Sequence, residues 1–228
     1  MNELEASVQR LARWLSRLLV AGAFLNAMRI NLVYMYQLSL LSAERQGRLV
    51  SDAEVLALSV RESFVGLPMI GLAIGTLVIF FRWVRAVNRL LAERGVQLRF
   101  SPDSAVIWFF VPFMNLVRPY QVMSELWRGS GAAQATTRDP SGTRASPLVA
   151  LWWAVLLTEF VGRAALAEVL PTADTIDGAT VNAVVGAAFE IIGIGTALLA
   201  RAVIQKITAR TLLLADPRTV TTAATDEA

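Results

Sequence analysis

The chain has 228 residues, 55% of them hydrophobic, a mean hydropathy of +0.53 and a net charge of +3. Soluble domains are usually about 45–50% apolar, so part of this apolar surface must face lipid, and the length leaves no room for a separate soluble catalytic domain. Cys and His are both absent, which excludes disulfides, thiol nucleophiles, Cys/His zinc sites and His-based triads.

No metal or other cofactor is implied, and no enzyme is expected. The positive charge is almost all arginine, with Lys206 the only lysine. It suits an anionic membrane face, where each basic residue contributes about 1 kcal/mol, and does not imply nucleic acid.

A hydrocarbon core of about 30 Å needs roughly 20 apolar helical residues. Four segments qualify, at residues 18–40, 64–83, 148–169 and 181–201. The fold class expected is therefore all-α integral membrane, with four transmembrane helices forming a membrane domain over 18–212. Residues 1–17 form a cytoplasmic N-terminal segment. The first apolar run is longer than a signal-peptide core and follows Glu3 and Glu5, so it is expected to be retained.

The first connection carries Arg45, Arg48 and Arg61 against Glu44, Asp52, Glu54 and Glu62. Apolar spacing from Val50 to Val60 predicts a short amphipathic helix on the outer surface. After the second span come Arg82, Arg85, Arg89, Arg94 and Arg99, whereas the turn PTADTIDGAT between spans three and four has no basic residue. By the positive-inside rule both termini are cytoplasmic, in a cytoplasmic membrane.

Between spans two and three, AVIWFFVPFMNLV is too short to cross and contains Pro112. A re-entrant or interfacial helical segment over about 105–127, broken at Pro112 and Asn115, fits the charge pattern. Residues 129–146 read as a flexible cytoplasmic linker and 213–228 as a disordered cytoplasmic tail. No internal repeat supports an inverted-repeat transporter.

The run from Phe81 to Ser130 carries Trp83, Arg85 and Asn88, then Leu98-Arg99-Phe100-Ser101-Pro102. Trp108, Pro112, Asn115, Arg118-Pro119-Tyr120-Gln121 and Glu125-Leu126-Trp127 come next, with Trp152-Trp153 in span three. These ordered elements resemble the uncharacterised bacterial membrane family catalogued as domain of unknown function 4328. The likeness runs from span two through span three. Asp103-Ser104 departs from it, since family members more often have a small residue and an aromatic there. The resemblance implies a multi-span membrane protein and brings no activity, substrate or catalytic residue.

Three constellations stand out. Arg29, Glu159, Arg163 and Glu190 lie near the middles of spans one, three and four, where a charge costs at least ~2.5–3.5 kcal/mol and needs a partner. Glu159 and Arg163 have the favourable i, i+4 order for a pair on one helix. This set is either a structural charge network or an ion path. Arg82, Arg85, Arg89, Arg118, Tyr120 and Arg128 make a lipid-phosphate or interfacial site, or else Arg118, Glu125 and Arg128 form a local network that holds the broken segment. Gly66, Gly71, Gly75 and Gly193 suit close helix approach, within the chain or in a homo-oligomer.

Two classes of function stand ahead of a third, a membrane-embedded enzyme, which lacks a visible nucleophile-and-base pair. One is a structural, lipid-binding or protein-interaction component whose partners are membrane lipids with anionic headgroups, a protein, or a second copy of the chain. The other is a small transporter or channel that uses Glu159 and Glu190 with Arg29 and Arg163.

Overall fold

The computed structural model describes residues 3–131 and 146–214. The predicted linker and tail fall largely outside these residues. Helices α1 (Glu3–Arg29) and α2 (Met35–Arg45) are joined by a π-helical turn, Ile30–Tyr34, into one 43-residue helix. Helix α3 (Asp52–Glu93) is 42 residues long. After α4 (Ser104–Ile107), a 3-10 turn (Met114–Leu116) and α5 (Arg118–Gly131) comes α6 (Pro147–Leu157). A second π turn, Thr158–Gly162, links α6 to α7 (Arg163–Val169), and α8 (Ile176–Leu213) closes the described chain. Among the described residues there is no strand, and four helices are long and apolar enough to cross a membrane.

The four predicted spans lie inside these helices; the first, second and fourth run well past them because the extensions are amphipathic rather than apolar, whereas Pro147–Val169 ends with the third span. The expected outer surface helix at 50–60 is a correction: these residues are the first turns of α3 itself. Ser51 and Glu54 form the reciprocal cap that starts it, with Glu54 Oε2 accepting from the Ser51 N–H at 2.9 Å and the Glu54 N–H donating to Ser51 Oγ at 3.4 Å. Nothing between Val60 and Phe64 breaks a helix, and α3 continues through Pro68.

The residues group into two compact units. One comprises Met1–Arg17, Leu77–Trp153 and Leu199–Ala228; the other comprises Leu18–Thr76 and Ala154–Leu198.

The first unit has a buried apolar core. Val8, Ala12 and Leu15 of α1, Trp83, Val84, Val87, Leu90 and Leu91 of α3, and Val203, Ile204 and Ile207 of α8 are buried. Helix α5 contributes one stripe, Pro119, Val122, Met123 and Leu126, spaced for a single helical face. Trp83 Nε1 donates to Thr208 Oγ1 at 3.0 Å, so this buried indole has its partner.

Two polar side chains hold the non-helical stretch from Val96 to Ser101. Asn88 Nδ2 donates to the Phe100 carbonyl at 3.0 Å, and the Glu125 carboxylate accepts from the backbone N–H groups of Arg99 and Phe100. Asp103, the departure from the family pattern, pairs with Arg85 at 3.0 Å. Beyond α4 the chain loses helical order. Phe113 takes φ 62 and the Met114 N–H bonds to the Pro112 carbonyl at 2.7 Å, which is a tight γ-type turn. Phe109 packs on Phe80 and Phe81, with centroids 5.6 and 5.2 Å apart, and Trp153 Nε1 donates to the Leu116 carbonyl at 2.9 Å.

The last turns of α3 and α8 and the first turn of α1 meet at Arg94, which is 5% exposed. Its guanidinium bonds to the Glu5 carboxylate and to the carbonyls of Thr211 and Leu214. Carbonyls of a final helical turn have no intrahelical donor, so one arginine satisfies α8 and ties it to α1.

The second unit exposes a long apolar surface. Phe24, Met35, Leu56, Val60, Phe64, Leu67, Ile70 and Ile74 are exposed, as lipid-facing helices require. A Cβ on Gly66, Gly71 or Gly75 would meet nothing within 4 Å, so these glycines are not used for packing inside the chain.

Arg94→Met is expected to destabilise the protein by about 3 kcal/mol, because it withdraws a buried guanidinium from the Glu5 carboxylate and from the carbonyls of Thr211 and Leu214. Arg94→Lys should recover only part of this loss. Unfolding of the detergent-solubilised protein, followed by circular dichroism, measures both.

Candidate functional site: a buried carboxylate between two arginines

All the residues of this site belong to the second unit. Glu190, on α8, is 3% exposed, and two guanidinium groups reach it. Arg29, the last residue of α1, comes within 3.7 Å of Oε1, and Arg163, the first residue of α7, within 3.6 Å of the same oxygen. The arginines are 34% and 43% exposed. Each also lies over a ring, Arg29 at 5.8 Å from the centroid of Tyr34 and Arg163 at 4.8 Å from that of Phe189. These contacts hold the planar groups in place.

Both arginines adjoin a π turn. Such turns add one residue to a helical repeat and recur at functional sites. The second has a direct consequence. In an uninterrupted α-helix Glu159 and Arg163 stack one turn apart, but here the turn between them is Thr158–Gly162. Arg163 pairs with Glu190 instead, and Glu159 makes no ion pair among the described residues. Glu159 is half-buried. Its Oε1 and the Asn26 amide both crowd Gly193, where an added Cβ would come within 3.1 Å of the first and 2.6 Å of the second.

Tyr34, in the first π turn, is buried against Gly186 of α8. A Cβ at 186 would fall 2.6 to 2.8 Å from the ring, so only glycine admits the tyrosine. Beside it, α7 and the first turns of α8 border an open cavity of about 470 Å³, lined by Tyr34, Leu166, Val185 and Phe189 with Arg163 and Asn182 among its polar groups. Asn182 Nδ2 donates to the Pro171 carbonyl at 3.0 Å and fixes the turn that borders the cavity. Neither π turn has a composition signature, and the sequence carries no signal for Tyr34, Gly186 or the cavity as parts of a site.

The arginines after span two have different fates. Arg82 and Arg89 are exposed and make no ion pair among the described residues, while Arg85 holds Asp103. Arg118 lies over Trp108 at 4.9 Å and donates to Gln121 Oε1 at 3.1 Å. Arg128 donates to the Ser124 carbonyl at 3.3 Å, and Tyr120 is half-buried on α5. The expected network of Arg118, Glu125 and Arg128 does not form, because Glu125 is taken by backbone N–H groups. Pro112 and Asn115 flank the γ-type turn and are exposed.

Four long apolar helices and an intramembrane charge group define a multi-pass, all-α membrane protein. A family model described as a domain of unknown function (DUF4328) matches residues 46–209, and the chain belongs to this family. The match is wider than the sequence likeness indicates. It takes in Glu159, Arg163 and Glu190 and leaves Arg29 and Tyr34 outside. No curated protein and no solved structure matches the chain.

Glu190→Gln leaves two arginines without their shared carboxylate. Breaking a buried pair costs about 3–5 kcal/mol, and the partial exposure of both arginines brings the expected loss below that range, to about 2–3 kcal/mol. Glu159→Gln, which removes no ion pair, is expected to change stability by less than about 1 kcal/mol. Parallel unfolding of the two variants in one detergent measures the difference.

Proposed function

We propose that the protein is a non-enzymatic, lipid-binding structural component of the cytoplasmic membrane, with both termini on the cytoplasmic side. The observation that carries this reading is the change of character along one face of α3. Leu67, Ile74 and Val78 are exposed and apolar, and the same face continues with exposed Arg82, Arg85 and Arg89. At 1.5 Å per residue, Val78 to Arg89 spans about 16 Å, so a helix with its apolar row in hydrocarbon carries these guanidinium groups to headgroup level. Arginine at that depth pairs with phosphate bidentately.

The orientation is supported by the partners of the arginines in the first connection. Arg45 pairs with Asp177, Arg48 with Glu54 at 3.0 Å, and Arg61 lies 3.6 Å over the Tyr36 ring. Arg82 and Arg89, after span two, have no such partner among the described residues. The near-complete enclosure of Glu190 between two cations supports a structural role for the charge group.

A second reading, an ion path, is favoured by Glu159, a half-buried carboxylate in a π turn without an ion pair among the described residues. Proton uptake into proteoliposomes that Glu159→Gln abolishes would replace the first reading with this one.

In nanodiscs, phosphatidylglycerol is expected to raise the melting temperature of the parent protein relative to phosphatidylcholine, and the double variant Arg82→Gln/Arg89→Gln should lose most of that gain. Equal stability of the parent in the two lipids would exclude the proposal. The absence of cysteine makes topology directly measurable. A membrane-impermeant maleimide should label Asp174→Cys in intact cells, and Gln97→Cys only after permeabilisation.

A further inference from the structure

The cavity beside Arg163 is not used by the lipid-binding reading, which rests on α3. Its volume of about 470 Å³ falls within the ~300–1,000 Å³ typical of small-molecule sites. No acidic residue is among those lining it, and Arg163 is the one charged residue there.

The state of that arginine is the informative feature. Glu190 is shared by Arg29 and Arg163 at 3.7 and 3.6 Å, so two cations divide one carboxylate. Both separations exceed an ordinary hydrogen bond. The guanidinium carries five N–H donors, and among the described residues Arg163 has no polar partner other than this shared carboxylate. Its plane is held near Phe189 at 4.8 Å, which leaves the N–H edge to meet a planar anion.

The walls are fixed in advance. Tyr34 is seated on Gly186, and Asn182 holds the Pro171 carbonyl. Leu166, Val185 and Phe189 offer an apolar body its contacts.

We propose that this cavity binds a small amphiphilic monoanion, whose anionic head takes the unused N–H groups of Arg163 and whose apolar body fills the space between α7 and α8. The head offers a second anion to a guanidinium that shares its carboxylate with Arg29. The same chemistry is available from a free carboxylate with a short alkyl body or from an anionic lipid, and the two sources separate experimentally.

Octanoate is the probe and octan-1-ol its neutral counterpart, titrated calorimetrically into the full chain in phosphatidylcholine nanodiscs. Saturable binding of octanoate and none of octanol is expected, after subtraction of empty nanodiscs. Arg163→Gln should weaken octanoate by at least about tenfold, the loss of a charge-assisted contact. Val185→Trp, which fills the cavity without altering any charge, should abolish binding, and it decides the matter alone should Arg163→Gln fail to fold. Replacing phosphatidylcholine with phosphatidylglycerol identifies the source. Loss of octanoate binding to the parent in that lipid means that the lipid head is the occupant, and undiminished binding means a free carboxylate. Arg82→Gln/Arg89→Gln should bind octanoate like the parent, so failure of the headgroup reading leaves this one standing. Absence of saturable octanoate binding in both lipids, or binding that neither Arg163→Gln nor Val185→Trp alters, would overturn the proposal.

Discussion

A carboxylate enclosed in a helical membrane segment has to be matched by positive charge, and the second unit is arranged around that requirement at Glu190. The cost of an unpaired charge there exceeds the propensity of any single residue. The local backbone therefore yields to it. Arg29 and Arg163 arrive from different helices, each at the border of a π turn. A π turn sacrifices regular i to i−4 bonding and rotates the succeeding helical turns relative to an unbroken helix. The pairing of Arg163 with Glu190 rather than Glu159 is the visible result.

The long apolar segments were legible because lipid tolerates only about 20 consecutive apolar helical residues and little else. Helix ends were less so, since outside the hydrocarbon the selection for apolar residues lapses and α1, α3 and α8 continue as amphipathic helices. The Ser51–Glu54 cap was present in the sequence and marks the start of α3, but apolar periodicity alone suggested a separate helix there. Within the candidate site, the meeting of Arg29, Arg163 and Glu190 could be anticipated from depth and charge. The π turns could not, because they are set by tertiary pairing and not by composition.

Several of the residues that carried the family likeness have defined physical tasks. Trp83 bonds Thr208, Asn88 and Glu125 hold the non-helical stretch at Phe100, Trp153 holds Leu116, and Trp127 lies under Arg210 at 4.3 Å. Most of these contacts satisfy a buried polar atom or an irregular backbone group. A sequence pattern of scattered Trp, Asn and Glu is what such a task leaves behind, since each position needs a particular donor or acceptor while its neighbours need only be apolar.

The near-exclusive use of arginine arises from the same demands. At Arg94 one side chain meets a carboxylate and two carbonyls from separate helices, which the planar five-donor fork permits and the compact ammonium of lysine does not. At Arg163 the fork leans on an aromatic face and still keeps donors free. At Arg82 and Arg89 the identical group lies exposed, without an ion pair among the described residues. Environment alone separates these cases, so the arginines divide into those the fold has already neutralised and those it leaves exposed.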